Sequence, residues 1–212
     1  MFKNQKMLFF SPFILKATRA RKIAYISMMV ALSIVGNMFF EFKLGAVQYS
    51  FTTVISAIIG ILIGPISGFV ACFIGDGVGF IANPFGAYTP WIGIATGLIA
   101  FISGATVHLI KNKKASTIYV KIAVVSVLTF LICSVGVNGT FLWLVWYSKM
   151  SYIDFLIYRY VGLGQLFVSV INYALLFALV AVFKRISFFK ELQLEPTFKK
   201  EIDKPKNVEQ SE

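Results

Sequence analysis

Charge is almost missing from the middle of this chain. Between Leu44 and Ile110 one ionised side chain, Asp76, stands in an otherwise apolar, glycine-rich stretch. That excludes a water-soluble domain, whose helices need a polar face and whose loops need charge toward solvent. Cysteine is scarce too, with only Cys72 and Cys133 and no CxxC spacing. A disulfide framework and a zinc site are therefore excluded, and both thiols read as small buried hydrophobes. The single histidine, His108, falls at the end of an apolar run and is read as surface-facing. One histidine leaves a Ser–His nucleophile pair or a Glu/Asp/His metal set without enough members at depth, which argues against an intramembrane enzyme. No G-x-x-x-x-G-K-[ST] loop occurs, so any ATP hydrolysis must come from another chain. No cofactor and no metal are expected.

What is present is hydrophobic. Of the 212 residues, 58% are hydrophobic and 22 are phenylalanine, which places the chain in the polytopic α-helical membrane class. A β-barrel would alternate in ~10-residue segments, whereas these apolar runs are unbroken. At about 20 residues per crossing, the runs divide into six spans: 23–40, 48–63, 67–82, 91–110, 120–145 and 155–183. The second and third are short and joined at Gly64-Pro65, and the sixth is long enough to begin at or outside the membrane surface. The expected fold is all-α, a compact bundle of six transmembrane helices.

Basic residues set the orientation. Lys3, Lys6, Lys16, Arg19, Arg21 and Lys22 precede span one; Lys111, Lys113, Lys114 and Lys121 follow span four; Lys184, Arg185 and Lys190 follow span six. All three groups fall on one side, so the positive-inside rule puts both termini in the cytoplasm. The net charge of +11 is then mainly a topology signal. Nucleic-acid binding is not expected, because the charge is spread over three juxtamembrane segments. Residues 1–22 read as a basic cytoplasmic arm, with a short interfacial segment at 7–15. Residues 23–185 read as the transmembrane domain, and 186–212 as a polar, disordered cytoplasmic tail.

Small residues recur at spacing four: Gly60, Gly64 and Gly68, then Gly75 with Gly79, and Gly93 with Gly97. That spacing lets helices approach closely and leaves little room for a wide pore. Ala24, Ser27, Ala31 and Val35 make a further small stripe on span one, which either packs inside the bundle or faces a membrane partner. The scarce polar groups collect toward the outer leaflet. Asp76 lies within Gly75-Asp76-Gly77-Val78-Gly79, where a carboxylate at helix centre costs roughly 2.5–3.5 kcal/mol on insertion scales. It either holds the span 3–4 loop or contacts a ligand. The loop after it, Asn83-Pro84-Phe85-Gly86-Ala87-Tyr88-Thr89-Pro90-Trp91, reads as a stiff uncharged lid whose rings can stack on flat heterocycles. A second constellation includes Asn138, Trp143, Trp146, Tyr147, Tyr152, Asp154, Tyr158, Arg159 and Tyr160. There Arg159 can pair with Asp154, with Asp76 or with an anionic ligand. Gln165, Asn172 and Tyr173 are polar groups at depth on span six, the first two sharing a face. The candidate substrate-binding residues are Asn37, Gln48, Tyr49, Asp76, Phe85, Tyr88, Asn138, Trp143, Arg159 and Gln165. They fit an outward-facing site for a small polar molecule with an aromatic part. A channel would need a polar stripe through its full depth, and the inner halves are apolar. A ligand-free membrane scaffold is the remaining alternative.

Several of these segments resemble the substrate-binding subunit, or S component, of energy-coupling factor (ECF) vitamin transporters. Gly64-Pro65-Ile66-Ser67-Gly68 is similar to that family's GP-x-x-G turn, and Gly75 to Gly79 to its G-D-x-x-G segment. Pro84 to Pro90 is similar to its P-x-G-A-Y-x-P loop, and Ala31 to Val35 and Asn138 to Trp143 also resemble it. The look is closest to the folate-type branch. The resemblance implies a multi-pass subunit of a prokaryotic plasma membrane that captures a B vitamin, folate favoured, on the outer face. It implies docking to a transmembrane coupling subunit driven by two cytoplasmic ATPases, and toppling in the membrane to release cargo. It also implies a docking surface on span one at Ala24, Ser27 and Ala31, where Ser27-x-x-x-Ala31 departs from the family's AxxxA by one hydroxyl. Folate-type members carry an arginine where this chain has Asn37, and a second basic residue just after the Arg159 position. Another vitamin, such as cobalamin or pantothenate, therefore stays open.

Overall fold

The computed structural model describes residues 9–11, 14–15, 17–44, 47–84, 88–109 and 117–183, leaving aside the side chains of residues 43–44, 47–48, 109 and 117. In hydrocarbon every backbone N–H and C=O needs an internal partner, which a helix supplies from its own chain. The elements accordingly run α1 (Arg19–Phe39), strands β1 (Glu41–Leu44) and β2 (Val47–Ser50), α2 (Thr52–Ile63), α3 (Pro65–Ala82), α4 (Pro90–Leu109) and α5 (Thr117–Leu128). A π-helical stretch (Thr129–Gly139) leads into α6 (Thr140–Trp146). Then come α7 (Tyr152–Ile157), a π turn (Tyr158–Gly162) and α8 (Gln165–Phe183).

Among the described residues, five helical segments are long and apolar enough to cross a membrane: Arg19–Phe39, Pro65–Ala82, Pro90–His108, Ile118–Trp146 and Gln165–Phe183. The expected second span departs from the reading above. Its first residues form an antiparallel hairpin instead, with Glu41 opposite Ser50 and Leu44 opposite Val47. Helix α2 is left with 12 residues, roughly 18 Å at 1.5 Å per residue, short of the ~30 Å hydrocarbon thickness. Nine of those twelve are buried, so α2 is a core element, and the fold is mostly helical, as expected, with a two-stranded hairpin added among the described residues. The expected sixth span is likewise divided: the chain breaks at Leu163 and Gly164, where Gly164 has φ +68°.

Glycine sets the tightest crossing. Gly64, at φ +111°, ends α2 and Pro65 opens α3 at the position where a missing N–H costs nothing. A Cβ on Gly60 would fall inside the Ala100 carbonyl, one on Gly68 would lie 2.8 Å from Gly60 Cα, and one on Gly104 2.6 Å from the Gly60 oxygen. Helices α2, α3 and α4 thus cross backbone to backbone, as the spacing of four predicts.

Polarity is turned inside out. Ile81 is 80% exposed, and Ile23, Phe39, Phe167 and Val161 also stand outside. Asp76, Asn37, Asn172, Ser33, Ser56, Ser103 and Thr129 are buried. A lipid-facing exterior accounts for that distribution; an aqueous one does not. Both cysteines are buried. His108 is not surface-facing: it is buried with Nε2 2.7 Å from the Ile61 carbonyl, because the end of α2 needs a partner there. Lys121 is buried at 3% exposure and donates from Nζ to the Val107 carbonyl at 2.8 Å, serving the end of α4 in the same way. Phe9, Phe10 and Ser11 lie against the α2–α3 turn, with Ser11 N donating to Ile63 O at 2.9 Å and Ser11 Oγ to Leu62 O at 2.6 Å.

Candidate substrate site

Chain direction brings the polar groups to one end of the bundle. The final turns of α1, α3 and the Thr117–Trp146 segment and the first turns of α2, α4 and α8 lie there. The hairpin bridges two of them.

On one flank, α3 carries the site. Gly75 and Gly79 face α1, where a Cβ would overlap Ser33 and lie 2.5 Å from Asn37 Cβ. Asn37 is buried, donates from Nδ2 to Ser33 O at 3.2 Å, and keeps Oδ1 without a partner. Asp76 is 7% exposed, with Oδ2 3.1 Å from the Cβ position of Gly93 on α4. No hydrogen bond to its carboxylate is found among the described residues, and residues 85–87 of the loop it precedes lie outside them. Tyr88 packs against Phe80 with ring centroids 5.0 Å apart and tilted by 47°, its hydroxyl 3.2 Å from the Cβ position of Gly77. Burial first, and the charge of Asp76 second, raise its pKa above the usual tyrosine value.

The opposite flank is built on the π-helical stretch. Such wider winding is rare and concentrates at functional positions. Asn138 sits on it with Oδ1 buried and unpartnered. Tyr152 braces the stretch, donating to Val135 O at 2.9 Å, and stacks edge-on against Trp143 at 5.5 Å. The Trp143 indole donates to Met150 O at 2.8 Å, so its polar edge is already used. Arg159, on the π turn, lies over the Tyr160 ring at 5.6 Å among Tyr147, Tyr152 and Tyr160. Its Nη1 is buried without a hydrogen-bond partner, and no ion pair joins it to Asp154 or Asp76. The two intramolecular pairings are corrected accordingly. Five residues against i,i+4 geometry disfavours the first, and the groups recorded around Arg159 are tyrosines, with Asp76 not among them. Trp91 of α4 meets Phe141 of α6 at 5.5 Å and links those flanks.

The hairpin completes the end. Tyr49 donates to Leu163 O at 2.6 Å, at the break before α8, so this candidate has a structural partner. Gln165 opens α8 half-buried. Gln48 lies in β2 with its side chain outside the described residues, and Phe85 lies outside them altogether. Two groups were not singled out as site residues. Tyr160, on the π turn, has a buried, unpartnered hydroxyl. Asn172 is 3% exposed with an unpartnered Oδ1. Its sharing a face with Gln165 was the signal that could have found it. On α1 the outcome is plain: Ala24, Ser27, Ala31 and Val35 are all exposed, so that stripe is not internal packing.

An apolar helical bundle with unsatisfied polar atoms buried at one end is the form of a membrane-embedded subunit that binds a small polar molecule. The chain belongs to the ECF-type riboflavin transporter S component family, which residues 17–186 match. It is thus a vitamin-capturing S component and a transporter subunit. Among solved structures it is similar to one titled "Crystal structure of FolT bound with folic acid", with a TM-score of 0.62 and 19% identity. That match covers 78% of this chain and 95% of the other, a likeness of fold. No curated protein matches the chain.

Proposed function

We propose that this subunit captures riboflavin from the outer face of a prokaryotic plasma membrane. One observation carries the reading. Three amide oxygens (Asn37, Asn138, Asn172), one guanidinium nitrogen (Arg159) and one phenol (Tyr160) are buried with no partner. Leaving such atoms unmet costs about 1–3 kcal/mol each, so a native state retains them where a ligand supplies the other half. Acceptors outnumber cations. A neutral flat ring with N–H and carbonyl edges and a polyhydroxyl chain fits that balance, and Trp143, Tyr152 and Tyr88 offer faces for the ring. Asn37, Asp76, Asn138 and Arg159 are the polar contacts in this reading.

Folate is the second reading, favoured by Arg159, whose buried, unpartnered Nη1 suits a carboxylate. Folate carries two carboxylates, and Arg159 is the one cation at this end with a buried, unpartnered nitrogen among the described residues. Cobalamin and pantothenate complete the panel. Detergent-purified protein, titrated with each vitamin, should saturate with riboflavin, read by its fluorescence. Silence across the panel overturns the proposal, and saturation by folate alone replaces riboflavin with folate. Delivery in this reading needs a transmembrane coupling subunit, docked on the Ala24/Ser27/Ala31 face of α1, and two cytoplasmic ATPases.

A further inference from the structure

The winding of the chain changes between Gly139 and Thr140, and one carbonyl is stepped over. Within the π-helical stretch each N–H reaches back five residues, so the Gly139 amide points to the Ser134 carbonyl. Thr140, the next residue, donates to Gly136 O and Val137 O. Val135 O falls between the two, and the Tyr152 hydroxyl brings it a donor from α7 at 2.9 Å. With its one proton committed there, the phenol oxygen is left to accept, and Thr140 Oγ1 stands 3.4 Å away. The approach uses the bare face of Gly139, where a Cβ would lie 3.3 Å from the phenol oxygen. The Tyr152 ring is held separately, edge-on against Trp143 at 5.5 Å. Asn138, with its buried and unpartnered Oδ1, is the residue just before Gly139. Over the 11 residues of the stretch, wider turns add on the order of a third of a turn or more of rotation relative to 3.6-residue winding. The direction of Asn138 is therefore set by where the wide winding stops, and Tyr152 satisfies the carbonyl that the stop leaves over.

We propose that Tyr152 is a positioning residue for capture: its hydroxyl fixes the π-to-α junction and so aims Asn138 Oδ1 at the cargo, without itself bonding the cargo. Removing the hydroxyl leaves Val135 O short of a donor inside an apolar bundle. The chain answers by rewinding toward the i→i−4 ladder, in which the Gly139 amide meets Val135 O. Asn138 turns away as it does so. This inference rests on the reading of the chain as a vitamin-capturing subunit, and adds what holds one of its polar contacts in place.

The test is a double-mutant cycle on the full chain, with riboflavin and folate as probes. Tyr152→Phe keeps the ring against Trp143 and removes only the hydroxyl; it should weaken binding at least about tenfold, as should Asn138→Ala. If Tyr152 acts through Asn138, the double variant should bind within about threefold of Asn138→Ala alone. Losses that multiply, to about a hundredfold in the double variant, mean that Tyr152 acts by another route and overturn the proposal. Undiminished affinity in a folded Tyr152→Phe overturns it as well. Backbone amide exchange on the vitamin-free wild type gives a reading that no variant has to fold for. A junction held in place before cargo arrives should make the amides of residues 138–141 exchange at least about tenfold more slowly than those of the turn at 148–150. Equal rates overturn the preformed junction. A wild type that binds neither probe overturns the underlying reading and this inference together, whereas a binding wild type with multiplying losses overturns this inference alone.

Discussion

Arg159 is a cation that the fold surrounds with rings and leaves one nitrogen short of a partner. Its replacement separates the two vitamin readings. A hydrogen bond to a charged group contributes about 1.5–3 kcal/mol, so Arg159→Ala should weaken folate roughly 10- to 150-fold. Riboflavin should lose less than about tenfold, because it brings no charge; calorimetry on both ligands reads the difference. Asp76 allows a similar separation. Asp76→Asn should lower ligand affinity about tenfold while the melting temperature holds or rises, since the insertion cost of a carboxylate is relieved. A lower melting temperature with affinity intact would assign Asp76 to the loop it precedes. These residues were legible because a polar group in hydrocarbon is conspicuous. His108 was misread for the complementary reason. Its place at the end of an apolar run indicates a surface, and only the packing of α2 beside α4 reveals the carbonyl that buries it.

Among the elements, the crossing of α2, α3 and α4 was written in glycines four apart, and it bears the tightest packing. Gly60→Ala puts a methyl group into the Ala100 carbonyl. Overpacking of that kind costs about 1–3 kcal/mol or more, and a fall in melting temperature of at least about 5 °C is expected by thermal shift. An unchanged value would mean that the helices can part without loss. The hairpin was not legible. Four residues of alternation at Glu41–Leu44 are too few to outweigh the apolar run that follows, and pairing across strands is a non-local choice. The π winding was hidden as well, since it depends on side-chain partners such as Tyr152 at the Val135 carbonyl.

For the whole molecule, the stripe on α1 is where structure narrowed an open alternative. Ala24, Ser27 and Ala31 face outward, away from the core that α1 shares with α3 through Gly75 and Gly79. Small residues on an exposed helix face suit close approach by another helix. Ala31→Leu should therefore reduce vitamin uptake in cells at least about tenfold while purified protein binds vitamin as before, the fold-change being that of a lost 1.4 kcal/mol at the interface. Uptake at the wild-type rate would return that face to lipid.

Composition alone determined the solvent: a chain with one charge between residues 44 and 110 has to live in lipid, and lipid obliges its backbone to form helices. Composition also determined which side chains are costly and hence which deserved notice. The assembly of those side chains was a tertiary outcome. Whether Asn37 and Asp76 share a flank, whether Arg159 finds an internal anion, and which way Tyr160 and Asn172 turn all depend on helix crossings and on breaks at Gly64 and Gly164. Those are set by contacts between residues far apart in the chain, which local pattern does not carry.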